Sequence, residues 1–303
     1  MIPPAGPHGG DGPEVARALG LDPDDVVDLS LSLNPFAPDV GSLAARHLSA
    51  LRHYPGDADV SRATHALAEA IGVDRGRVLL SNGGSEAIAL VTRIIGGTVA
   101  GEPEFSLHPR GEGGARWRSN PKNPTGLLAD RDETADVWDE AFYPLAAGTW
   151  TRGDAGAVVV GSLTKVFACP GLRLGYVIAD DVSRYASAQP AWAVNGLALA
   201  VLPELLAHTD LARWSQRITA RRDELDALLR ARGFDPLVSQ APWLLVYAPG
   251  LRDQLAPHGV VVRDCASFGL AGYVRIAVPD DQGLARLCEV LPSAVTNRIE
   301  EAT

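Results

Sequence analysis

Lysine is scarce in this chain of 303 residues. Of its 27 basic residues only two are lysines, Lys122 and Lys165, and the others are arginines. An excess of positive charge is also missing, because the formal net charge at pH 7 is -10. Nucleic acids and anionic membrane surfaces attract clustered basic side chains, so neither is expected as the main partner. A local arginine pocket for a small anion is compatible with this balance.

Cysteines and long apolar runs are equally sparse. The most apolar long stretch, residues 191–207, contains an asparagine, a proline and a glutamate, so it is not expected to span a bilayer. Residues 1–10 contain no basic residue and no apolar run, so we expect no secretory signal peptide. The cysteines are odd in number and lack CxxC spacing, which speaks against zinc and favours a reducing, cytoplasmic location: Cys169, Cys265 and Cys288.

Short apolar runs alternate with helical patterns through the first two thirds of the chain. Residues 77–80, 157–161 and 174–179 have the composition of buried strands, and residues 61–71 and 85–95 have helical periodicity. This alternation predicts an α/β fold in which helices cover a mostly parallel sheet on both faces.

The pattern of predicted helices and strands changes after about residue 205. A charged amphipathic helix is predicted at 210–232, β-like runs at 243–247, 260–262 and 273–278, and a helix from Asp280. These patterns predict a small α+β domain. The predicted divisions are an N-terminal arm (1–40), a large domain (41–204) and a small C-terminal domain (205–303).

Lys165 directly follows a predicted buried strand. A lysine in such a place loses its proton easily, and a neutral amine can form a Schiff base. The alternative is an ordinary loop lysine, but in a chain that otherwise uses arginine its retention points to chemistry that a guanidinium cannot perform. Residues 162–165 also have the Ser-x-x-Lys spacing of serine β-lactamases. Those enzymes need a Lys-Thr-Gly element, which neither lysine provides, so a hydrolase of that type is excluded.

A glycine turn stands between a predicted strand and a predicted helix, in Ser81-Asn82-Gly83-Gly84-Ser85. Free backbone N–H groups at a helix start, together with a hydroxyl, form a ready phosphate site, although a simple tight turn is the alternative. The pattern is neither a P-loop nor GxGxxG, so a nucleotide is not indicated.

Further motifs follow this turn in order: Asn120-Pro121-Lys122-Asn123-Pro124-Thr125-Gly126, Trp138-Asp139-Glu140-Ala141-Phe142, Ser162-Leu163-Thr164-Lys165, and Arg173 eight residues later. In this order they resemble the class I/II aminotransferases, the pyridoxal-phosphate (PLP) enzymes of fold type I, over residues 8–291. The branch that holds histidinol-phosphate aminotransferase and the threonine-phosphate decarboxylase of cobalamin synthesis is the most similar. Matching segments are Leu33–Pro38, His53–Pro55, Ser239–Leu245 and Tyr273–Ile276, and two segments favour the cobalamin side, His8–Gly10 and Val262–Leu270.

The resemblance implies how the cofactor would be held. Lys165 would bind PLP covalently and carry a proton, and Asp139 would pair with the pyridine nitrogen. Asn123 would hydrogen-bond the ring oxygen, and His108 would stack on the ring where relatives have an aromatic residue. The phosphate would be held by polar groups of the chain and by a tyrosine from the second subunit of a homodimer: Gly84, Ser85, Ser162, Arg173 and the partner's Tyr54.

The resemblance also implies a substrate site. Arg275 would bind a substrate carboxylate or phosphate through a bidentate fork, unless it is a strand-end arginine that pairs with a surface acid. Asn34 and His8 would contribute to the same site. No metal site is expected.

The chain departs from its relatives in two ways. Phe142 stands where relatives often have a tyrosine, so one hydrogen-bond donor is missing unless Tyr143 supplies it. Only 11 residues separate His108 from Asn120, and only 12 separate Gly126 from Asp139. Neither gap can hold both a helix and a strand, so we expect either lost strands or a partner that covers an exposed sheet edge.

The sequence therefore predicts a PLP-dependent enzyme that acts on a small amino acid or amino-alcohol phosphate. Amino transfer and decarboxylation share the same covalent intermediate and differ in which bond to Cα breaks, so both stay open. A histidinol-phosphate-type aminotransferase and a shortened, degenerate relative that binds PLP without turnover are the alternatives.

Overall fold

The computed structural model describes residues 1–294 of the chain. Within them the strands are Val27–Leu29 (β1), Val78–Asn82 (β2), Thr98–Val99 (β3), Arg116–Ser119 (β4), Val137–Asp139 (β5), Val158–Ser162 (β6), Leu174–Ile178 (β7), Trp243–Tyr247 (β8), Val260–Asp264 (β9) and Tyr273–Ala277 (β10). The α-helices are Gly12–Leu19 (α1), Val40–Ala45 (α2), Asp57–Ile71 (α3), Gly83–Ile95 (α4), Tyr143–Ala147 (α5), Leu163–Val166 (α6), Ser183–Ala186 (α7), Gly196–Ala207 (α8), Leu211–Ala231 (α9), Leu251–Leu255 (α10) and Asp281–Val290 (α11).

Contacts divide the chain into two compact units. The larger unit comprises residues 33–218 and 240–242, and the smaller comprises residues 1–32, 219–239 and the segment from Trp243 onward. The domain boundaries predicted at residues 40 and 204 stay a prediction.

The larger unit contains a six-stranded sheet in the order β2-β7-β6-β5-β4-β3. Strands β3, β4, β5 and β6 are parallel to one another, whereas β7 is antiparallel to both of its neighbours. The segment between β6 and β7, residues 163–173, holds only one helical turn and a 3-10 turn. This link is shorter than a parallel crossover requires, so the chain returns in the opposite direction. The predicted mostly parallel α/β sheet is confirmed.

One face of this sheet packs against α4. Apolar side chains of the helix, among them Ile88 and Val91, meet Val160 of β6 and Val177 of β7 in a buried cluster. All five residues of β6 are buried, which explains why its sequence is a continuous apolar run rather than an alternating one.

Strands β4 and β5 are present, but residues 100–115 and 120–136, which precede them, contain no helix. The predicted loss of strands relative to the family stays a prediction. Strands β4 and β5 are only four and three residues long, so the chain has a short distance to return before each of them. An extended segment spans that distance with fewer residues than a helix needs, because it rises more per residue.

Polar side chains cover the sheet where a helix is missing. Trp138 of β5 is fully buried, and the guanidinium carbons of Arg118 and Arg152 lie 5.6 and 4.8 Å from its ring centroid. Arg152 also donates to the carbonyl oxygens of Arg131 and Glu133, at 2.9 and 2.7 Å. The helix-free segment 120–136 is thus fastened by hydrogen bonds and cation–π contacts.

The smaller unit contains a four-stranded sheet in the order β1-β9-β10-β8. Strand β1 pairs with β9 in parallel, and β10 is antiparallel to β9 and β8. Its core includes Leu229, Leu244, Ile276 and Leu287. The β-like runs and the helix predicted for this part of the chain are confirmed. Across the described residues, no helix is both long and apolar enough to cross a membrane.

Candidate active site

Lys165 projects from the C-terminal end of a buried strand, as its sequence context predicts. Strand β6 ends at Ser162, and the one-turn helix α6 begins at the next residue. The Lys165 side chain is half-buried, and its Nζ lies 5.6 Å from the ring centroid of Phe142.

Asn34 supports the turn that carries Lys165. Its backbone N–H donates to the carbonyl oxygen of Lys165 at 3.1 Å, and its Nδ2 donates to that of Val166 at 2.9 Å. Its Oδ1 accepts from the backbone N–H of Phe36. These bonds connect the Asn-Pro motif to the lysine turn, while the predicted contact of Asn34 with substrate stays a prediction.

The Asp139 carboxylate is held at the end of β5. Its Oδ1 accepts a hydrogen bond from the backbone N–H of Ala141 at 3.0 Å, and its Oδ2 lies 2.9 Å from Nε2 of His108. The His108 side chain is fully buried, and its ring is tilted against Trp117 at a centroid distance of 5.5 Å. The structure therefore brings His108 and Asp139 together, and the predicted stacking of His108 on the cofactor stays a prediction.

Glu104 is a site residue that sequence reasoning missed. Its Oε2 lies 3.7 Å from Nδ1 of His108 and accepts from Oγ of Ser119 at 2.6 Å. Burial raises the pKa of Glu104, and the Ser119 and His108 contacts partly oppose that rise. The available signal was the spacing of four residues between Glu104 and His108. No group of acidic, histidine or cysteine side chains within residues 1–294 is suited to a metal ion.

Anion-binding groups converge where β2 passes into α4. Gly83 has φ of +79°, and its Cα is so close to Arg173 that an added Cβ would lie 2.4 Å from a guanidinium nitrogen. A Cβ added to Gly84 would lie 3.3 Å from Cβ of Ser162, whose Oγ is 2.7 Å from Oγ1 of Thr164. A cation, hydroxyls and the N-terminus of a 13-residue helix therefore surround one point, and Ser85 lies in the first turn of that helix.

The close packing of this cradle depends on a second glycine. Gly175 of β7 approaches the helix start so closely that a Cβ there would lie 2.4 Å from the backbone carbon of Gly83. Arg173 itself has φ of 55°, in the left-handed region that non-glycine residues rarely occupy. The backbone is thus shaped to bring the arginine over the glycine turn.

Asn123 is buried in a turn that two hydrogen bonds close. The backbone N–H of Lys122 donates to the carbonyl of Leu127 at 2.8 Å, and that of Gly126 donates to the carbonyl of Lys122 at 2.6 Å. Gln240 donates its backbone N–H to Gly126, which ties the turn to the chain that precedes β8. The two lysines therefore have different surroundings, one in this turn and one at the end of β6.

Phe142 and Tyr143 point to different neighbours. Phe142 is the residue whose ring faces Lys165. The phenol of Tyr143 instead bonds Thr149 and lies near Glu140, and burial raises its pKa. The idea that Tyr143 replaces the missing donor gains no support from these contacts.

Tyr54 lies on the surface of the larger unit. Its side chain is 78% exposed, and its ring lies 4.7 Å from that of Trp192. The predicted role of Tyr54 on a second subunit stays a prediction.

The two remaining residues of the predicted substrate site, Arg275 and His8, belong to the smaller unit. Arg275 of β10 and Arg263 of β9 are buried and directly opposite each other in the antiparallel register. Burial lowers the pKa of Arg275 to about 10. Arg263 donates to the carbonyls of Gly6 and Pro7, at 2.8 and 2.6 Å, next to the exposed His8. Arg263 was not predicted as a site residue, although its place in the β9 run was the available signal.

The chain was compared with known proteins. The family model "Aminotransferase class I and II" matches residues 117–291. A histidinol-phosphate aminotransferase from Halorubrum lacusprofundi is 28% identical, with 92% of each chain covered. A threonine-phosphate decarboxylase from Salmonella typhimurium is 30% identical, with 95% of this chain and 96% of that protein covered. The solved histidinol-phosphate aminotransferase from Sinorhizobium meliloti in complex with pyridoxal-5'-phosphate has a TM-score of 0.78 at 16% identity, with 93% of each chain covered.

One comparison also bears on the length of the chain. The match to the Salmonella protein extends over 363 residues, whereas the whole chain has 303. That relative therefore carries residues that this chain lacks.

Proposed function

The chain belongs to the class I and II aminotransferases, and from this premise we propose that it acts on a small phosphorylated amino acid or amino alcohol, by decarboxylation or amino transfer. The family depends on PLP, and the chain is an enzyme of this type. When bound, PLP supplies an electron sink for the negative charge that develops at the substrate Cα. The observation that carries the substrate class is the pair of buried arginines on β9 and β10.

The residues of the larger unit fit the cofactor. Arg173, Ser162 and the start of α4 offer a cation, a hydroxyl and backbone N–H groups to its phosphate. The Asp139 carboxylate offers an acceptor to the ring nitrogen, and Asn123 offers an amide to the ring oxygen. Lys165 offers the one amine of the chain that stands at a buried strand end.

Two side chains would manage protons in this arrangement. Lys165 would take a proton at Nζ from the substrate Cα or return one to it, because a half-buried amine loses and regains charge more readily than an arginine. Asp139 would keep the ring nitrogen protonated by accepting its hydrogen bond. Phe142, whose ring faces Lys165, would exclude water from the amine.

The arginine pair supports an anionic substrate. Like charges directly opposite each other on neighbouring strands destabilise a sheet, and both Arg263 and Arg275 are buried. Burial is the main reason that the charged form of Arg275 is disfavoured, and the positive charge of Arg263 adds to the effect. A carboxylate or phosphate beside Arg275 would offset both penalties by accepting hydrogen bonds from its guanidinium. The terminal nitrogens of Arg263 already donate to Gly6, Pro7 and Ser267. We therefore assign the anion of the substrate to Arg275, with Arg263 as the neighbouring positive charge.

The N-terminal segment favours the cobalamin-type decarboxylase. Both segments that suggest this branch, residues 8–10 and 262–270, belong to the smaller unit, and Arg263 donates to the carbonyls of Gly6 and Pro7, which directly precede the first segment. A histidinol-phosphate-type aminotransferase is the second candidate, supported by the Halorubrum relative. Release of one CO₂ per threonine phosphate would support the first, and keto-acid-dependent amino transfer from histidinol phosphate the second.

The central experiment uses the two lysines as a matched pair. Purified protein is incubated with PLP, reduced with borohydride and digested. The covalent adduct is expected on Lys165 in the wild type, is lost in Lys165→Ala, and persists in Lys122→Ala. A wild-type protein that takes up no PLP, or that carries the adduct on Lys122, would contradict the proposal.

Activity assays on the same purified protein distinguish an active enzyme from a degenerate relative that binds PLP without turnover. Such a protein forms the Lys165 adduct but releases no CO₂ and transfers no amino group with any amino phosphate. The helix-free crossovers motivate this alternative, and turnover with threonine phosphate or histidinol phosphate would refute it.

We also propose a homodimer in the cytoplasm. The exposed apolar side chains of Leu48, Leu51, Tyr54 and Trp192 support the dimer, since adjacent apolar surface marks interfaces. The three cysteines are free, which agrees with a reducing compartment.

A further inference from the structure

A cavity of about 320 Å³ lies at one end of the four-stranded sheet in the smaller unit. It is lined by residues 2–5 and by residues at the ends of β8, β9 and β10. We call it the arm cavity, because the first residues of the N-terminal arm form part of its wall. Its volume lies at the lower end of the range that small-molecule sites occupy. None of the residues that line it has been assigned to the cofactor or the substrate.

The strand register separates the arm cavity from the substrate arginine. Asp264 and Val274, which line the cavity, are directly opposite each other on β9 and β10, and the next pair in the register is Arg263 and Arg275. Successive side chains along a strand point to opposite faces of a sheet. The cavity residues and the two arginines therefore lie on opposite faces, and a molecule in the cavity would leave the substrate position open.

Acidic groups outnumber basic ones around the arm cavity. Its ionisable lining residues are Arg252, Asp253 and Asp264. The buried Arg252 is already balanced, because its Nη2 lies 3.3 Å from the carboxylate of Asp11 and its Nη1 lies 3.6 Å from that of Asp253. The half-buried Asp264 carboxylate accepts the backbone N–H of Ala266 on Oδ1 at 2.7 Å, its one hydrogen bond within residues 1–294. Its Oδ2 is therefore left for a donor, and the surplus of carboxylates favours a cation.

The remaining wall of the cavity is largely apolar, with Pro3, Pro4, Ala248 and Val274 among its residues. A bare divalent metal ion would need several oxygen ligands, and this wall offers few. An organic cation needs less, because its alkyl groups can contact the apolar wall while its charged N–H group donates to a carboxylate.

We propose that the arm cavity binds a small alkylammonium ion, which donates to Asp264 and packs its alkyl groups against Pro3 and Pro4. The site needs neither PLP nor the proposed reaction, so it goes beyond the proposed function. Residues 2–5 continue into Gly6 and Pro7, whose carbonyls accept from Arg263. A bound ion would therefore also hold the start of the arm in place.

Three probes of similar size test this recognition on the unmodified PLP-loaded protein. Triethylammonium is charged at neutral pH and has one N–H donor, and because it is not a primary amine it forms no Schiff base with PLP. Tetraethylammonium keeps the charge without the donor, and triethylcarbinol keeps a donor without the charge. Isothermal titration should show triethylammonium binding with a roughly millimolar dissociation constant and the other two binding about tenfold more weakly. Equal affinities for the three, or no binding of triethylammonium, would overturn the proposal.

Asp264→Asn tests the acceptor and should weaken triethylammonium binding about tenfold, because the amide has no charge. Asp181→Asn is the matched control and should leave the affinity unchanged. Asp181 is exposed and belongs to the larger unit, and its Oδ1 accepts the backbone N–H of Ser183 at 2.8 Å, in the same local arrangement that Asp264 has with Ala266. An unchanged affinity in a folded Asp264→Asn would refute the assignment. If that variant does not fold, the order of the three probes on the wild type still decides.

Hydrogen exchange locates the bound ion. Saturating triethylammonium should slow the exchange of the backbone N–H groups of Ala5 and Gly6 at least about threefold, because the ion packs against the residues that precede them. The same slowing is expected without PLP, so a wild type that takes up no PLP would contradict the proposed function and leave this test intact. Triethylammonium that binds without slowing exchange in these residues would place the site elsewhere and overturn the proposal.

Discussion

Glu140 follows Asp139 directly and is fully buried. Successive side chains of an extended chain point to opposite faces of a sheet, so Glu140 lies away from the Asp139 carboxylate. Its Oε1 accepts from the backbone N–H of Arg152 at 3.1 Å. Burial, as the largest cause, raises the pKa of Glu140 from 4.5 to about 7. The native state therefore binds this proton more tightly than the unfolded chain does.

The consequence is a pH-dependent cost of ionising Glu140. Between pH 4.5 and about 7 the unfolded chain loses this proton before the native state does, so the contribution of Glu140 to stability is lost as pH rises. Glu140→Gln should match the wild type at pH 4.5 and exceed its free energy of unfolding by on the order of 3 kcal/mol above pH 7. Denaturant unfolding from pH 4.5 to 8 measures this difference. The exposed Glu69→Gln serves as the control, and a difference between Glu140→Gln and wild type that is flat with pH would contradict the prediction.

The buried arginine pair gives a second prediction for single residues. Arg275→Met removes a buried charge together with its hydrogen bond to Ser30 and its contact with Trp243, so the ligand-free Tm is expected to change little. The dissociation constant of threonine phosphate in the PLP-loaded protein is expected to rise roughly 10- to 100-fold. Arg62→Met, at an exposed arginine that pairs with Asp59, should change neither quantity. Calorimetry and spectral titration provide the two measurements. A fall in Tm with unchanged affinity would mean that Arg275 is a structural residue.

Single residues also show which parts of the site could be predicted from sequence. The sequence predicted Lys165 at the end of β6, because the apolar strand and the lysine are adjacent in the chain. It also predicted that Arg173 and the glycine turn act together, because both belong to motifs of the resembled family. Glu104 was missed because its role depends on Ser119, which meets it only after β4 has formed. The contact between His108 and Asp139 was missed for the same reason, since 31 residues of sequence separate the two side chains.

At the scale of elements, continuous apolar runs predicted β6, β7 and β8 well, because strands buried on both faces are composed mainly of apolar residues. The antiparallel direction of β7 was not predicted, since a run of apolar residues has no polarity along the chain. Strand β4, Arg-Trp-Arg-Ser, was hidden by its two arginines. Arg116 is exposed, whereas Arg118 is buried where it contacts Trp138 and Glu133.

The helix-free crossover leads to a prediction for Arg152. Arg152→Met keeps the alkyl volume but removes the hydrogen bonds to Arg131 and Glu133, so the free energy of unfolding should fall by about 2–4 kcal/mol. The exposed Arg62→Met is again the matched control, with an expected loss under about 1 kcal/mol. Hydrogen exchange should quicken in residues 127–136 first. Equal losses for the two variants would contradict the idea that Arg152 fastens this segment.

At the scale of the whole molecule, the exposed apolar patch predicts self-association. Leu48, Leu51, Tyr54 and Trp192 each expose more than half of their side-chain surface. The start of α8 is close to the same segment, because a Cβ added to Gly196 would lie 3.0 Å from the carbonyl oxygen of Ala50. The segment that carries Leu48 and Leu51 therefore lies against the start of α8, which follows Trp192 closely in the chain.

Sedimentation velocity of the PLP-loaded protein should show a dimer at micromolar concentration. The double variant Leu51→Ser, Trp192→Ser should dissociate at least about 100-fold more readily, because aromatic and leucine anchors dominate such interfaces. Val238→Ser, at another exposed apolar residue, should leave the dimer intact. A wild-type monomer that carries PLP would contradict the prediction.

The polar cover over Trp138 has a thermal consequence. Apolar surface raises the heat capacity of unfolding when it is exposed, and polar surface lowers it. A segment fastened by guanidinium and carbonyl groups therefore adds little to that heat capacity, whereas an amphipathic crossover helix would add more. The chain should accordingly unfold with a smaller heat-capacity change per residue than relatives that retain these helices, and its stability should vary less with temperature.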